Sequence, residues 1–85
     1  MKSFCYTIKD EVGIHARPAG MLAKLAKGFK SEIMIEKNGK AVSATKLMML
    51  MGLGIKQGDT VTVTATGEDE QLAAKSLENF FKDNL

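Results

Sequence analysis

A chain of 85 residues has room for one domain with a single modest core, and its 45% hydrophobic residues fall in short periodic runs, none near the ~20 apolar residues of a membrane-spanning helix. Twelve Lys and Arg against ten Asp and Glu leave a formal charge of +2, too weak by itself to indicate nucleic acid or an anionic membrane as partner. The single cysteine, Cys5, excludes an internal disulfide and a cysteine-built metal or redox pair, and reads as a small hydrophobe within a strand.

The opening MKSFCYTIKDE lacks the basic flank, apolar centre and cleavage site of a secretory signal, so the cytoplasm is the expected location. Phe4, Tyr6 and Ile8 recur at period two and predict a first strand over 3–8 with one buried face. After the loop 9–14, Pro18, Leu22, Leu25 and Phe29 mark one face of a helix. Pro18 falls in its first turn, where a missing N–H costs nothing, and Gly28 supplies a stop. Residues 32–36 and 40–44 flank Asn38-Gly39, a dipeptide suited to the positive φ angles of a type I′ turn, and so predict a hairpin with Ile33, Ile35 and Val42 inward. From Thr45, a short helix is expected before Gly52 and Gly54, with Thr45 as its N-cap. Residues 60–66 alternate strictly, placing Val61, Val63 and Ala65 inside and the threonines toward solvent. From Asp69 to Leu85, acidic residues at the start and Leu72, Ala73, Leu77, Phe80 and Phe81 at helical spacing predict a third helix that suits the helix dipole. The order β, α, β, β, α, β, α is that of a two-layer α+β domain with helices on one face of an antiparallel sheet.

Chemistry has few places to reside. There is no Ser-His-Asp set, no metal cluster and no phosphate-cradling GxxxxGK[ST], and neither a metal nor an organic cofactor is expected. The one histidine, His15, stands directly before the first helix, whose opening N–H groups have no intrahelical partner and whose dipole favours an anion. Neutral imidazole is a nucleophile available near neutral pH. Arg17, two residues on, offers planar charge-assisted hydrogen bonds to phosphate oxygens. Every charged group between Ile14 and Lys30 is basic (Arg17, Lys24, Lys27, Lys30), which predicts an electropositive face. On residue types alone, a histidine in this place also serves as an ordinary surface residue or cap.

The segment Gly13-Ile14-His15-Ala16-Arg17-Pro18-Ala19 resembles the active-site signature of the HPr family of histidine-containing phosphocarriers. The resemblance continues through Lys24, Lys27-Gly28-Phe29, Ser31-Glu32-Ile33, Asn38-Gly39-Lys40, Leu53-Gly54-Ile55 and Gly67-Glu68-Asp69-Glu70, in family order over essentially the whole chain. It implies an open-faced sandwich with a four-stranded sheet of order 1-4-2-3 and three helices on one side. It implies phosphorylation of His15 on Nδ1 by enzyme I, with phosphoenolpyruvate as the source, and onward transfer to IIA components of sugar transporters. The backbone of Ala16 and Arg17 is then expected to hold the phosphate, and the protein acts as a carrier and not as a turnover enzyme.

The short helix carries Leu47, Met48, Met49, Leu50 and Met51, which cannot all be buried on so short an element. Flexible thioethers suit a surface that fits several partners, and the resemblance implies that this helix and the first form a shared docking surface. Leu47, Met48 and Met51, rimmed by Lys24, Lys27 and Lys46, are the expected docking residues. Lys46 departs from many Gram-positive family members, in which a serine phosphorylated by a dedicated kinase occupies the matching position; that regulation is expected to be lost. A rival reading is a regulatory module that controls a transcription factor or enzyme by contact. A nucleic-acid-binding domain would want exposed aromatics on the sheet in place of threonines. A monomer without direct membrane insertion is expected.

Overall fold

The computed structural model describes residues 1–85. The elements follow as β1 (Lys2–Thr7), α1 (Ala16–Lys27), β2 (Glu32–Lys37), β3 (Lys40–Ser43), α2 (Leu47–Gly52), β4 (Thr60–Thr66) and α3 (Glu70–Asn84). The strands make one antiparallel sheet of order β1-β4-β2-β3, with the helices covering one face, the α+β open-faced sandwich that the sequence predicts.

Alternation decides which face is covered. Opposed pairs such as Tyr6 with Val61, Ile35 with Val63 and Ile35 with Val42 place their side chains inward, and the threonines of β4 lie on the open face. The β2–β3 turn has Asn38 at φ 52° and Gly39 at φ 83°, as a type I′ turn demands. The helices close the core with Ala19, Leu22, Ala26, Leu50, Ala73, Leu77 and Phe81. Phe81 is fully buried and meets Phe4, Tyr6 and Phe80 edge-on at centroid distances of 5.9, 5.5 and 6.1 Å, so one aromatic side chain joins α3 to β1.

Three local expectations are corrected. Thr45 does not cap α2: Lys46 is the N-cap residue, no side chain caps this helix, and the Thr45 hydroxyl pairs instead with that of Ser43 at 2.8 Å. Leu72, assigned to the packing face of α3, is exposed, because Ala73, Leu77 and Phe81 define the buried stripe. Cys5 does lie in a strand, but on the solvent side, its Sγ 3.5 Å from Thr62 Oγ1. Gly28 is the C-cap of α1 and stops it where the sequence predicts, in a right-handed conformation (φ −77°).

Candidate functional site

The loop into α1 is built by two anchors. Ile14 is buried and its N–H donates to the Ile55 carbonyl at 3.1 Å; Gly13 takes φ 78° and its N–H donates to Asp10 O at 3.1 Å. A Cβ on Gly13 would collide with the Ile55 carbonyl oxygen and approach Lys56 Cα to 2.7 Å, so glycine is required on two counts: the left-handed backbone and the absence of a side chain. His15 follows as the N-cap residue of α1, half-buried and extended at φ −115°, and its imidazole makes no capping hydrogen bond. Its carbonyl accepts the Ala19 N–H at 2.9 Å, the first bond of the helix.

The donors left over are easily counted. Pro18 has no N–H and Ala19 has spent its own, which leaves the Ala16 and Arg17 N–H groups at an end of the helix with no acidic residue in its first turn. Ala16 and Arg17 are exposed, and Arg17 enters none of the chain's ion pairs. A nucleophilic ring, two free amides and a guanidinium thus share one helix mouth, an arrangement fit to receive and hold a small tetrahedral anion.

Beside it lies the α2 surface. Only Leu50 of this helix is buried; Met48 is 77% exposed, Met49 52%, and Leu47 and Met51 38% each. Helix α1 packs against both α2 and α3. Lys27 lines a recess with Lys30, Ser43 and Thr45, just ahead of Lys46 and α2. Lys24 lines an apolar recess with Met21, Leu25 and Phe80 on the α3 side, and stands three residues, less than one turn, before Lys27 on the same helix. Met21, 44% exposed and one turn after Arg17, was not singled out in the sequence; its position four residues beyond Arg17 on the polar side of the helix was the available signal.

The family model described as "PTS HPr component phosphorylation site" matches residues 2–83. The chain belongs to the HPr family. Its role is accordingly that of a phosphocarrier of the phosphotransferase system, the PTS. Solved HPr structures superpose closely on it. A histidine-containing phosphocarrier protein from Mycoplasma is 38% identical, with TM-score 0.93 over 96% of this chain and 93% of that one. HPr from Thermoanaerobacter tengcongensis is 40% identical, with TM-score 0.93 over 98% and 93%. The Bacillus subtilis catabolite repression protein Crh, solved as a dimer with a swapped segment, is 36% identical, with TM-score 0.78 over 94% and 92%. No helix of this HPr-family chain is long and apolar enough to cross a membrane.

Proposed function

We propose that His15 of this HPr-family chain accepts a phosphoryl group from enzyme I, charged by phosphoenolpyruvate, and delivers it to IIA components of sugar transporters. The observation that carries the reading is the open mouth of α1, where the chain's only histidine stands beside the free Ala16 and Arg17 amides and the exposed Arg17 side chain. In the forward step the Nδ1 lone pair attacks phosphorus in line, a P–N bond to His15 forms, the bond to the donor breaks, and the donor keeps that electron pair. The Ala16 and Arg17 N–H groups and the guanidinium take the phosphoryl oxygens, which places charge stabilisation where it persists through transfer. The return step runs the same geometry backward onto an acceptor, so the protein relays the group without consuming it.

Docking is assigned to Leu47, Met48 and Met51, with Met21 and Met49 extending the apolar surface and Lys24, Lys27 and Lys46 attracting acidic partners. The working form is read as a cytoplasmic monomer; analytical ultracentrifugation showing a dimer at working concentration would overturn that part.

Incubation with enzyme I and labelled phosphoenolpyruvate tests the central claim. Acid-labile, alkali-stable label on His15, discharged by added IIA, is the expected result. The 36% identity to Crh favours one second reading, a regulatory module acting by contact. Absence of label with several active enzymes I would decide for it.

A further inference from the structure

We propose that Lys37 and Asp59 are positioning residues for His15, acting through the loop between α2 and β4; the inference rests on the reading of His15 as the phosphoryl acceptor. The loop into α1 has no regular structure of its own, and what locates it is residues 55–56. Ile14 N–H is bound by the Ile55 carbonyl at 3.1 Å, and Gly13 lies so near the same backbone that a Cβ there would come within 2.7 Å of Lys56 Cα. Two main chains in contact, with no side chain between them, move together. His15 is the next residue, so any displacement of 55–56 is passed to the imidazole.

Residues 55–56 are themselves held between two glycines at positive φ, Gly54 (65°) and Gly58 (88°), and need external support. Lys37, at the end of β2, supplies it. Its Nζ donates to the Gly54 carbonyl at 2.8 Å and pairs with Asp59 Oδ2 at 2.8 Å. The same carboxylate oxygen accepts the Lys56 N–H at 2.8 Å. One ammonium therefore ties the start of the loop to its end, and the carboxylate carries the tie to the residue that touches Gly13. The side chains of Lys37 and Asp59 are only 17% and 31% exposed, against 79% for both partners of the Lys30–Glu68 pair, so the bridge is shielded from competing water. The Lys37 hydrogen bond, and then the Lys56 amide, hold the Asp59 carboxyl below its ordinary value, as a persistent contact should. Gly58 N–H to Ile8 O at 2.9 Å and Ile8 N–H to Asp59 O at 2.9 Å fix the far end of the loop just beyond β1, Asp59 N–H to Lys56 O at 3.0 Å and buried Ile55 hold its middle, and Lys37 adds the one side-chain tie from Gly54 to Asp59.

Lys37→Met, a side chain of similar reach without the ammonium, tests the proposal. The maximal rate of phosphorylation by enzyme I should fall about tenfold, in keeping with the steep cost of sub-ångström to 1 Å misplacement of a reacting group. The half-saturating concentration should stay unchanged, because no exposed α2 residue is altered. Hydrogen exchange of the Ile14 amide should accelerate and the His15 imidazole NMR signals should shift, while Lys37→Arg restores most of the rate. A variant with a lowered melting temperature but natural rate, natural Ile14 exchange and unmoved His15 signals overturns the proposal. If the unaltered protein takes no phosphoryl group, it is the reading of His15 that fails, and the exchange and imidazole measurements still decide positioning. Should Lys37→Met not fold, Asp59→Asn, which keeps an oxygen acceptor for the Lys56 amide, is judged by the same measurements.

Discussion

Helices α1 and α3 each start from a loop, and each presents opening N–H groups that no side chain caps and a partial positive charge, but only at α3 does the chain meet that charge with its own carboxylates. That end is closed in charge, by carboxylates that bond the backbone around it and not the helix's own amides. Glu70 reaches back so that Oε1 accepts the Gly67 N–H at 3.1 Å, and Asp69 accepts from the Lys30 and Ser31 amides at 2.9 Å each and from the Ser31 hydroxyl. At α1 no acidic residue stands in the first turn, and the Ala16 and Arg17 amides remain free. The same backbone device serves as structural fastening where carboxylates accompany it and as an anion seat where they are absent.

The most complete way to break the contrast is at the nucleophile. His15→Ala should abolish phosphoryl acceptance, since no second histidine exists, while changing stability by no more than about 0.5 kcal/mol, because a half-buried residue at a helix entrance contributes little to the core. Labelling from phosphoenolpyruvate and enzyme I, together with a thermal melt, checks both halves; a folded variant labelled at the natural rate would falsify the assignment.

Arg17→Ala should slow transfer roughly 10- to 100-fold without ending it, the range of one charge-assisted hydrogen bond at about 1.5–3 kcal/mol. The amides stay in place, so residual labelling is expected; complete loss in rapid-quench kinetics would mean that the guanidinium carries the phosphoryl group alone.

At the closed end, Asp69→Asn should act on stability and leave transfer untouched. The Ser31 hydroxyl, then the Lys30 amide, hold the Asp69 carboxyl below its ordinary value. Because the folded pKa is the depressed one, the stabilisation is fully present above the unfolded value of about 3.9 and is lost as pH falls through the folded value. Urea melts at neutral pH should show Asp69→Asn to be less stable than the natural protein, and the gap should narrow below pH 4. A constant gap across that window would show the charge of Asp69 to be irrelevant.

The smallest effect is expected at Lys46, next to the docking helix. Lys46→Ser should slow association with enzyme I about two- to threefold at low salt, with the difference shrinking as added salt screens the charge. The natural protein should take no phosphate from the serine kinase and ATP, since the matching position is Lys46, which has no hydroxyl. Stoichiometric phosphate on either residue by mass spectrometry would show that the regulatory site has moved and not vanished.

What can be read along the chain is what neighbouring residues decide. Period-two and period-3.6 patterns located β1, β4, α1 and α3 to within a residue or two, Asn38-Gly39 located the hairpin, and His15 ahead of Pro18 located the helix mouth, because each signal spans only a few positions. The resemblance carried the sheet order, which no local pattern contains. Thr45 shows where local preference yields: a good N-cap residue one position early found a better partner in Ser43 across the bend, and Lys46 took the cap position without a side-chain bond.

By itself, then, the sequence determined the succession of elements, the placement of the only histidine at a helix start and the excess of apolar residues on α2. Tertiary structure alone decided that Asp69 fastens Ser31, 38 residues away, that Lys37 reaches Gly54, 17 residues away, and that Gly13 rests on the backbone of 55–56. The reason is physical: periodicity reports which face of an element meets the core, whereas a polar tie between loops depends on the distance and direction between backbones that come together only after the core has packed.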